Sequence, residues 1–284
     1  MNLLETKNLT HVYGAGTPFE RTAISDVNFA VSKGECVGII GATGSGKSTF
    51  VQHLNGLLKP TSGHVYFEGK DIHESKSYTR QTRFKIGLVF QYPEYQLFES
   101  TVFDDIAFGP KNMGLEDDEV RERVHEAAGF VRLDETFLEK SPFELSGGQK
   151  RRAAIAGVMA MMPEVLILDE PTAGLDPRGR DDIIYNIMGY KQAVDATLII
   201  VTHNMDELVR SVEKVFMFDK GSIVEEGTPS KVFSDTVRLH NLGLAAPKMT
   251  MVAERLRALG LPIRKDILTI EQLRKELNQL RIEN

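Results

Sequence analysis

The sequence predicts an α/β fold, and two features of its pattern predict it. Short apolar segments of strand length alternate with stretches of helical spacing along the chain. One of them, residues 36–40, is apolar without interruption, which is typical of a parallel strand buried on both faces. A glycine-rich loop and a helical stretch follow it directly, which is the order expected of a strand–helix unit in a parallel sheet.

Length and composition are those of a globular chain. The chain has 284 residues, 42% hydrophobic and 26% charged, with a formal net charge of −6, and these values exclude a disordered chain. Its single cysteine excludes an internal disulfide. We expect neither a signal peptide at residues 1–7 nor a membrane-spanning segment, because no apolar run is long enough. The mild acidity argues against a nucleic-acid partner.

The predicted elements follow one another as short strands and longer helices. Strands are expected at residues 22–31, 36–40, 64–67, 71–72, 86–90, 165–168, 197–201 and 214–219, with a hairpin turn at residues 68–70. A helix is expected from the glycine loop to about residue 55. Residues 92–144 are acidic and helical, with a helix at residues 116–130, and we interpret them as a helical insertion.

The glycine-rich loop has the sequence of a phosphate-binding loop. Its residues, Gly41, Ala42, Thr43, Gly44, Ser45, Gly46, Lys47 and Ser48, match G-x-x-x-x-G-K-[ST] between a strand and a helix. Glycines let backbone N–H groups turn towards phosphate oxygens, and the free N–H groups of the next helix favour an anion. We expect Lys47 to reach the β- and γ-phosphates, Ser48 to bind Mg²⁺, and Thr49 to offer a further hydroxyl.

Two adjacent carboxylates follow the apolar strand predicted at residues 165–168. Asp169 and Glu170 come directly after it, and ligands of doubly wound sheets sit at the carboxyl ends of strands. Asp169 is the candidate partner for Mg²⁺, and Glu170 is the candidate base that orients or deprotonates a water. A solvated strand end would also place acids here, but the phosphate-binding loop in the same chain favours the functional interpretation.

A second glycine pair precedes the helix predicted at residues 150–162. The residues are Leu145, Ser146, Gly147, Gly148 and Gln149. Ser146 is a favourable N-cap, and the glycines expose backbone N–H groups that an anion can bind. An ordinary capped helix would have the same pattern, so the residues by themselves leave both interpretations open.

Together, residues 41–49, 145–149 and 166–172 closely resemble the Walker A, signature and Walker B motifs of ATP-binding-cassette (ABC) ATPases. The resemblance covers about residues 1–230. It implies an ABC-type P-loop ATPase domain at residues 1–233, with a mixed core sheet, an N-terminal antiparallel β subdomain and a helical subdomain at about residues 92–160. It also implies hydrolysis of ATP with Mg²⁺, in which Lys47 and the signature helix stabilise the transferred phosphoryl group.

The resemblance assigns roles to four further residues. Tyr13 matches the aromatic residue that stacks on adenine, although a core aromatic is the alternative. Gln91 matches the glutamine that reaches the metal and the water, and His203 matches the switch histidine that contacts the γ-phosphate. Asp176 matches the aspartate of the D-loop, which belongs to the nucleotide site.

In this family two ATPase domains pair head to tail, and each ATP lies between the phosphate loop of one domain and the signature helix of the other. The chain has one copy of each motif. The resemblance therefore implies a second ABC ATPase subunit as partner, in a homodimer or a heterodimer.

Two segments narrow the resemblance further. VFQYPEYQLF at residues 89–98 and DDIAFGP at residues 104–110 closely resemble the ATPases of energy-coupling-factor (ECF) importers, and QHLNGLLKP at residues 52–60 agrees. This implies a peripheral subunit at the cytoplasmic face of the cell membrane that powers uptake of vitamins or transition-metal ions. Its implied partners are a transmembrane coupling subunit, a substrate-binding membrane subunit and a paralogous ATPase in a heterodimer, of which this chain is the second.

Three alternatives stay open. The chain could serve another kind of ABC transporter, act as a soluble ABC ATPase on a macromolecule, or be a nucleotide-regulated binding module without hydrolysis. Intact Gln91, Glu170 and His203 argue against the last of these.

Four acids without a basic neighbour lie at residues 91–105: Glu94, Glu99, Asp104 and Asp105. They predict either a solvated acidic face or a groove that receives a basic helix of the membrane partner, where charge would guide docking.

Residues 234–284 are expected to form a C-terminal extension with two helices. The first is predicted at residues 250–259. The second begins at Thr269, which forms a capping-box pattern with Gln272. Its apolar stripe consists of Ile270, Leu273, Leu277 and Leu280. The stripe predicts either packing against the chain's own body or a subunit contact, so the extension is a possible dimerisation element.

Overall fold

The computed structural model describes residues 2–282 and has the α/β architecture that the sequence predicts. Its strands are β1 (Asn2–Tyr13), β2 (Arg21–Ser32), β3 (Cys36–Gly41), β4 (Ser62–Phe67), β5 (Lys70–Asp71), β6 (Ile86–Val89), β7 (Val165–Asp169), β8 (Thr197–Val201), β9 (Lys214–Asp219) and β10 (Ser222–Gly227). Its α-helices are α1 (Lys47–Leu54), α2 (Lys76–Lys85), α3 (Val102–Met113), α4 (Asp117–Phe130), α5 (Gly147–Met159), α6 (Pro177–Val194), α7 (Met205–Ser211), α8 (Pro229–Phe233), α9 (Thr236–Asn241), α10 (Lys248–Ala258) and α11 (Ile270–Ile282). Single 3₁₀ turns lie at Pro93–Gln96, Glu135–Phe137 and Pro142–Glu144.

The core is a six-stranded mixed sheet in the order β10-β9-β3-β8-β7-β6. Strands β9, β3, β8, β7 and β6 are parallel, and β10 joins the edge antiparallel to β9. Alternate residues of each buried strand face opposite sides of the sheet. Ile39 lies in the apolar cluster that includes α1 and the N-terminal antiparallel strands, whereas Ile40 lies in the cluster that includes α3, α4 and α5. This two-sided burial explains why β3, β7 and β8 are continuous apolar runs.

A second, antiparallel sheet has the order β2-β1-β4-β5 and lies over one face of the core. The sequence analysis missed β1 because its pairings with β2 and β4 contain register shifts, which disturb the alternation of buried and exposed side chains. The β4–β5 turn is one residue shorter than predicted: Phe67 pairs with Lys70, and Glu68 and Gly69 both have positive φ.

Helices α3, α4 and α5 form a layer beside the sheet. Helix α5 begins three residues before the predicted start, because Ser146 caps it, and ends at Met159, before the predicted Met162. Met162 has a φ of 53°, which is incompatible with a continuing helix. Helix α2 was not predicted because Thr82 is its only buried residue, so it has no apolar stripe.

Helices α10 and α11 of the C-terminal extension share a small apolar cluster, to which α10 contributes Ala253 and α11 contributes Leu273 and Leu280. Leu239, Leu244 and Leu268 of the extension belong to the main core. The predicted capping box is present, since Thr269 N–H donates to Gln272 Oε1 (3.1 Å) and Gln272 N–H donates to Thr269 Oγ1 (3.3 Å). The predicted stripe is divided: Ile270 stays 55% exposed and Leu277 38% exposed. No helix in the described range is long and apolar enough to span a bilayer.

Candidate active site

A cleft of about 580 Å³ lies at the carboxyl ends of β3, β7 and β8. Its volume is within the range of small-molecule sites, roughly 300–1,000 Å³. The cleft brings together eleven of the residues that the sequence analysis selected: Tyr13, Thr43, Gly44, Gly46, Lys47, Ser48, Thr49, Gln91, Asp169, Glu170 and His203.

The glycine loop wraps the end of β3 in a conformation that requires glycine. Gly41, Gly44 and Gly46 have φ values of 155°, 81° and 104°. A Cβ on Gly46 would lie 2.7 Å from the carbonyl oxygen of Ala23, whereas one on Gly44 would meet no atom within 4 Å. Gly44 therefore leaves an open backbone cradle facing the cleft, which fits the close approach of a phosphate.

Lys47 folds back over this loop. Its Nζ donates to the carbonyl oxygens of Gly41 (2.6 Å) and Ala42 (3.0 Å) and lies 3.5 Å from Ser45 Oγ. Burial lowers the pKa of Lys47, and the nearby carboxylates of Glu170 and Asp169 oppose that shift. The cleft lining does not include the three loop residues that Lys47 contacts, which are Gly41, Ala42 and Ser45.

Oxygen donors converge beside Lys47. Asp169 is buried and hydrogen-bonds Ser48, and Gln91 lines the same cleft. Burial raises the pKa of Asp169, the Ser48 hydrogen bond opposes this, and Glu170 adds to it. A hydroxyl, a carboxylate and an amide oxygen are hard ligands that fit Mg²⁺. Within the described range no three His, Cys, Asp or Glu residues group as a metal site.

Glu170 and His203 are in direct contact. His203 Nδ1 lies 2.8 Å from Glu170 Oε1, and the backbone N–H of Glu170 donates to the carbonyl oxygen of Val201 (2.8 Å). Glu170 has a φ of 52°, a left-handed conformation that costs a non-glycine residue about 1 kcal/mol or more. This turn aims the carboxylate into the cleft.

Tyr13 is 42% exposed at the rim of the cleft, so it is not a core aromatic. Its hydroxyl lies 3.3 Å from Thr49 Oγ1, and its ring makes an edge contact with His11. His11 Nδ1 lies 3.1 Å from Nε2 of the buried His53 on α1. These contacts connect the end of β1 to the helix of the phosphate loop.

The sequence analysis missed five residues that line the cleft: Arg21, Thr22, Ala23, Lys220 and Gly221. Arg21 pairs with Tyr13 across β1 and β2, and Lys220 and Gly221 form the β9–β10 turn. Gly221 N–H donates to the carbonyl oxygen of Ser45 (2.9 Å), which fixes this turn on the phosphate loop. Thr22 and Ala23 lie on the strand predicted at residues 22–31, but β1 and β10 were not predicted, so nothing in the sequence placed the five residues beside the phosphate loop.

The signature residues and Asp176 lie outside the cleft. Ser146 caps α5: Gln149 N–H donates to Ser146 Oγ (3.4 Å), and Ser146 N–H donates to Gln149 Oε1 (2.8 Å). Gly147 and Gly148 are exposed at this helix end. Asp176 caps α6 by accepting from Gly179 N–H (2.7 Å). The two helix N-termini that the sequence predicts to bind anions, those of α1 and α5, therefore lie apart, and only that of α1 opens into the cleft.

The predicted acidic groove is wrong in its composition, because two of its acids are paired inside the chain. Glu94 makes a two-point ion pair with Arg151 (2.8 and 3.0 Å), and Asp104 binds Lys111 Nζ (2.9 Å). Burial raises the pKa of Glu94, but the hydrogen bonds and the charge of Arg151, together with a backbone hydrogen bond, outweigh burial, so the net pKa of Glu94 is lowered. Each of these two carboxylates is therefore already paired with a cation of the same chain.

A mainly apolar groove of about 550 Å³ lies beside these acids. Its apolar lining includes Leu57, Phe84, Phe90, Leu97, Phe98, Phe108, Val158 and Met161, and its charged residues are Arg80, Arg83 and Asp105. Asp105 Oδ1 accepts the backbone N–H groups of Phe98 (3.0 Å) and Glu99 (3.1 Å), but its buried Oδ2 has no hydrogen-bond partner. Burial raises the pKa of Asp105.

Comparison with known proteins gives one consistent family. The family model described as "ABC transporter" matches residues 24–173. The chain is 50% identical over 274 residues to "Energy-coupling factor transporter ATP-binding protein EcfA2" of Caldanaerobacter subterraneus subsp. tengcongensis, covering 96% of both chains. It is 51% identical over 275 residues to the protein of the same name from Clostridium tetani, again covering 96% of both.

Solved structures agree with the sequence relatives. The structure of cbiO1 from Clostridium perfringens, described as part of the ABC transporter complex cbiONQ, matches with a TM-score of 0.75 and 37% identity, over 90% of this chain and 99% of that one. A dimeric structure of the ATP-binding cassette MJ0796 bound to ADP and phosphate matches with a TM-score of 0.72 and 29% identity, over 80% and 98% of the two chains.

Proposed function

This chain belongs to the ABC transporter ATPases, in the group of energy-coupling-factor transporter ATP-binding proteins, and we propose that its cleft hydrolyses ATP to power import. The observation that carries the proposal is the convergence of Lys47, Asp169, Glu170 and His203 in one cleft at the carboxyl ends of parallel strands. The cargo we propose is a vitamin or a transition-metal ion.

ATP binding uses the loop, the helix α1 and the rim. Backbone N–H groups of the loop and of the α1 N-terminus bind the phosphates, and Gly44 leaves the space for their approach. Lys47 exchanges a carbonyl contact for the β- and γ-phosphate oxygens, because a phosphate is the stronger partner for its buried ammonium. Tyr13 presents its exposed ring to the adenine, and Thr49 adds a hydroxyl beside the phosphates.

Ser48, Asp169 and Gln91 are the residues that would hold Mg²⁺. When bound, Mg²⁺ would neutralise the charge on the β- and γ-phosphate oxygens. Asp169 fits this role because burial raises the pKa of its carboxyl group. A cation beside the ionised carboxylate would offset the cost of burying that charge.

Glu170 acts on the attacking water. Its carboxylate faces the cleft and accepts the water proton as the oxygen attacks the γ-phosphorus and the bond to the leaving ADP oxygen breaks. His203 holds Glu170 through the Nδ1 contact, and its exposed ring lines the cleft in which we propose that the γ-phosphate binds. This arrangement favours hydrolysis over a module that only binds nucleotide.

A second ATPase subunit completes each site. The N-terminus of α5, with Ser146, Gly147 and Gly148, is exposed away from the cleft of its own chain. A facing subunit can present the same helix end to the γ-phosphate, and we propose that Asp176 lies at the same interface. We propose a heterodimer with a paralogous ATPase, in keeping with the numbered name of the relatives and with the dimeric cassette among the solved structures.

The membrane partner docks in the apolar groove. We assign the groove to an apolar helix of the transmembrane coupling subunit that carries one arginine or lysine, because the unpartnered Oδ2 of Asp105 lacks a cation. Arg80 and Arg83 do not supply it: Arg83 donates to the Gly56 carbonyl (2.7 Å) and Arg80 to the Asn112 carbonyl (3.5 Å). The chain is then peripheral to the cytoplasmic face, with a substrate-binding membrane subunit in the same complex.

Isolation of the complex tests the proposal. The full-length chain, tagged and purified from detergent-solubilised membranes, should bring down a second ATPase and membrane subunits that mass spectrometry can identify. Reconstituted in vesicles, the complex should release phosphate from ATP and take up a vitamin or metal ion. A complex without membrane proteins, or one that binds ATP and releases no phosphate, would contradict the proposal.

A further inference from the structure

Arg151 of α5 joins two segments on either side of the candidate active site. Its guanidinium donates from Nε and Nη2 to both carboxylate oxygens of Glu94 (3.0 and 2.8 Å). Its remaining nitrogen, Nη1, donates to the carbonyl oxygen of Ala173 (2.6 Å). The Arg151 side chain is only 4% exposed, so this charge is buried and depends on these partners.

The Ala173 end of this contact lies on the turn that follows the candidate base. Ala173 N–H donates to the carbonyl oxygen of Glu170 (3.1 Å), which closes the turn over residues 170–173. Within the turn, the Thr172 hydroxyl donates to the carboxylate of Glu207 on α7 (2.9 and 3.0 Å). Because Glu170 has the unfavourable φ of 52°, its orientation depends on contacts that hold this turn.

The Glu94 end lies between the cleft and the groove. Glu94 is in the 3₁₀ turn Pro93–Gln96, which begins two residues after Gln91 of the cleft. Leu97 and Phe98, which follow that turn, line the apolar groove. A single guanidinium therefore connects the segment that lines the groove with the turn that carries Glu170.

We infer that Arg151 is a positioning residue for Glu170: it holds the 170–173 turn against the Glu94 segment and so sets the carboxylate in line with the attacking water. The inference rests on the proposed role of Glu170 as the base. A displacement of Glu94, such as a partner in the groove would produce, then moves the base through the same guanidinium. This gives the docking site a direct contact path to the hydrolytic group.

Arginine is needed here for geometric reasons. Its planar fork binds a carboxylate side-on with two nitrogens and leaves the third for a carbonyl in another direction. A lysine at the same position keeps the charge but has one nitrogen on a flexible stem, so it cannot hold both partners in a fixed relation. Arg151→Lys therefore removes the alignment while preserving the charge of the buried pair.

The experiment uses the complex purified through the tagged full-length chain, carrying Arg151→Lys, Glu170→Gln or both. We expect Arg151→Lys to lower kcat roughly 10- to 100-fold, the scale of a displaced catalytic group, with KM for ATP and the stoichiometry of bound ATP unchanged. In the Glu170→Gln background, single-turnover hydrolysis of labelled ATP should show no further loss, because the base is already absent.

Arg123→Lys is the matched control. Arg123 also bridges a carboxylate, Glu119 (2.8 Å), and a carbonyl, Met161 (3.3 Å), but it does not contact the 170–173 turn, so its kcat should be unchanged. If Arg151→Lys does not yield a folded complex, Glu94→Gln releases one side of the guanidinium and should give a smaller loss of kcat with the same dependence on Glu170.

Three outcomes distinguish the proposals. An equal loss with and without Glu170 would show that Arg151 serves only the fold, and an unchanged kcat in Arg151→Lys and Glu94→Gln would also overturn the inference. Normal turnover in Glu170→Gln alone would instead overturn the proposed base, whatever Arg151→Lys does.

Discussion

His203 Nδ1 and Glu170 Oε1 are 2.8 Å apart although the two residues are 33 positions apart in the sequence. The register of the central sheet produces this contact: Asp169, the last residue of β7, pairs with Val201, the last residue of β8. The residues that follow two neighbouring parallel strands then meet at the same edge of the sheet. His203 is 72% exposed and Glu170 only 12%, so the histidine is the member of the pair that a bound nucleotide can contact.

Replacing Glu170 by glutamine should leave ATP binding intact and slow hydrolysis at least about a hundredfold, the scale of a lost general base. The amide keeps the size of the side chain and its contact with His203 but cannot accept the water proton. Phosphate release from the purified complex measures the rate, and equilibrium binding of labelled ATP is the control. Near-normal turnover would show that another group is the base.

Lys47→Ala should lose most of the affinity for ATP, because the variant removes the ammonium that lies against the phosphate loop. Lys214→Ala is a suitable control, since Lys214 pairs with Glu226 in the β9–β10 hairpin and does not line the cleft. Binding can be measured with a fluorescent ATP analogue. Tight binding by Lys47→Ala would contradict the assignment of the loop.

Asp105→Asn should weaken recovery of the membrane subunits by at least about tenfold, the scale of a lost partner in a buried charge pair. The asparagine oxygen can still accept hydrogen bonds from the N–H groups of Phe98 and Glu99, so the loop should remain in place.

Asp104→Asn is the matched control and should have little effect, because Asp104 is already paired with Lys111. Reversal of both residues to lysine should weaken recovery most. Equal recovery for all variants would remove the groove from the docking site.

Acidification should destabilise the chain through His53. Burial lowers the pKa of His53 to about 4, with the Thr49 carbonyl opposing this shift and the neighbouring His11 and His73 adding to it. The folded state therefore binds fewer protons than the unfolded state, in which a histidine has a pKa of about 6.5. The stability that neutral His53 confers is complete above pH 6.5 or so and is lost progressively as the pH falls towards about 4.

The melting temperature between pH 7.5 and 4.5 measures this effect. His53→Gln should show a shallower decline with acidification than the unmodified chain, even if its melting temperature at neutral pH is lower. Burial also lowers the pKa of His73, so part of the decline should persist in the variant. An identical dependence on pH in both chains would contradict the role of His53.

Local patterns predicted the phosphate loop, Asp169 and Glu170, which lie next to strand ends, whereas the role of His203 came from the family resemblance. The phosphate loop, Asp169, Glu170 and His203 each follow an apolar strand, and strand ends of a parallel sheet share one edge. The β9–β10 turn with Lys220 was missed because β10 is a polar edge strand. Its place beside the loop depends on a tertiary contact, Gly221 N–H to the Ser45 carbonyl.

The acidic cluster shows the limit of composition as a guide. Glu94 has no basic residue near it in the sequence, yet its partner Arg151 lies 57 positions away and reaches it through the packing of α5. Only the fold determines which of several neighbouring acids keeps an unsatisfied oxygen. Of the two adjacent aspartates, Asp105 points inwards and Asp104 outwards, since they follow each other on one helix.

The separation of the α1 and α5 N-termini has a kinetic consequence. In the proposed assembly a facing subunit presents its signature helix to this cleft, so the rate of hydrolysis per chain depends on the concentration of that subunit. At high dilution the reaction should become second order, and it should reach a plateau once association is complete. At high dilution the fraction of paired chains would then set the observed rate per chain.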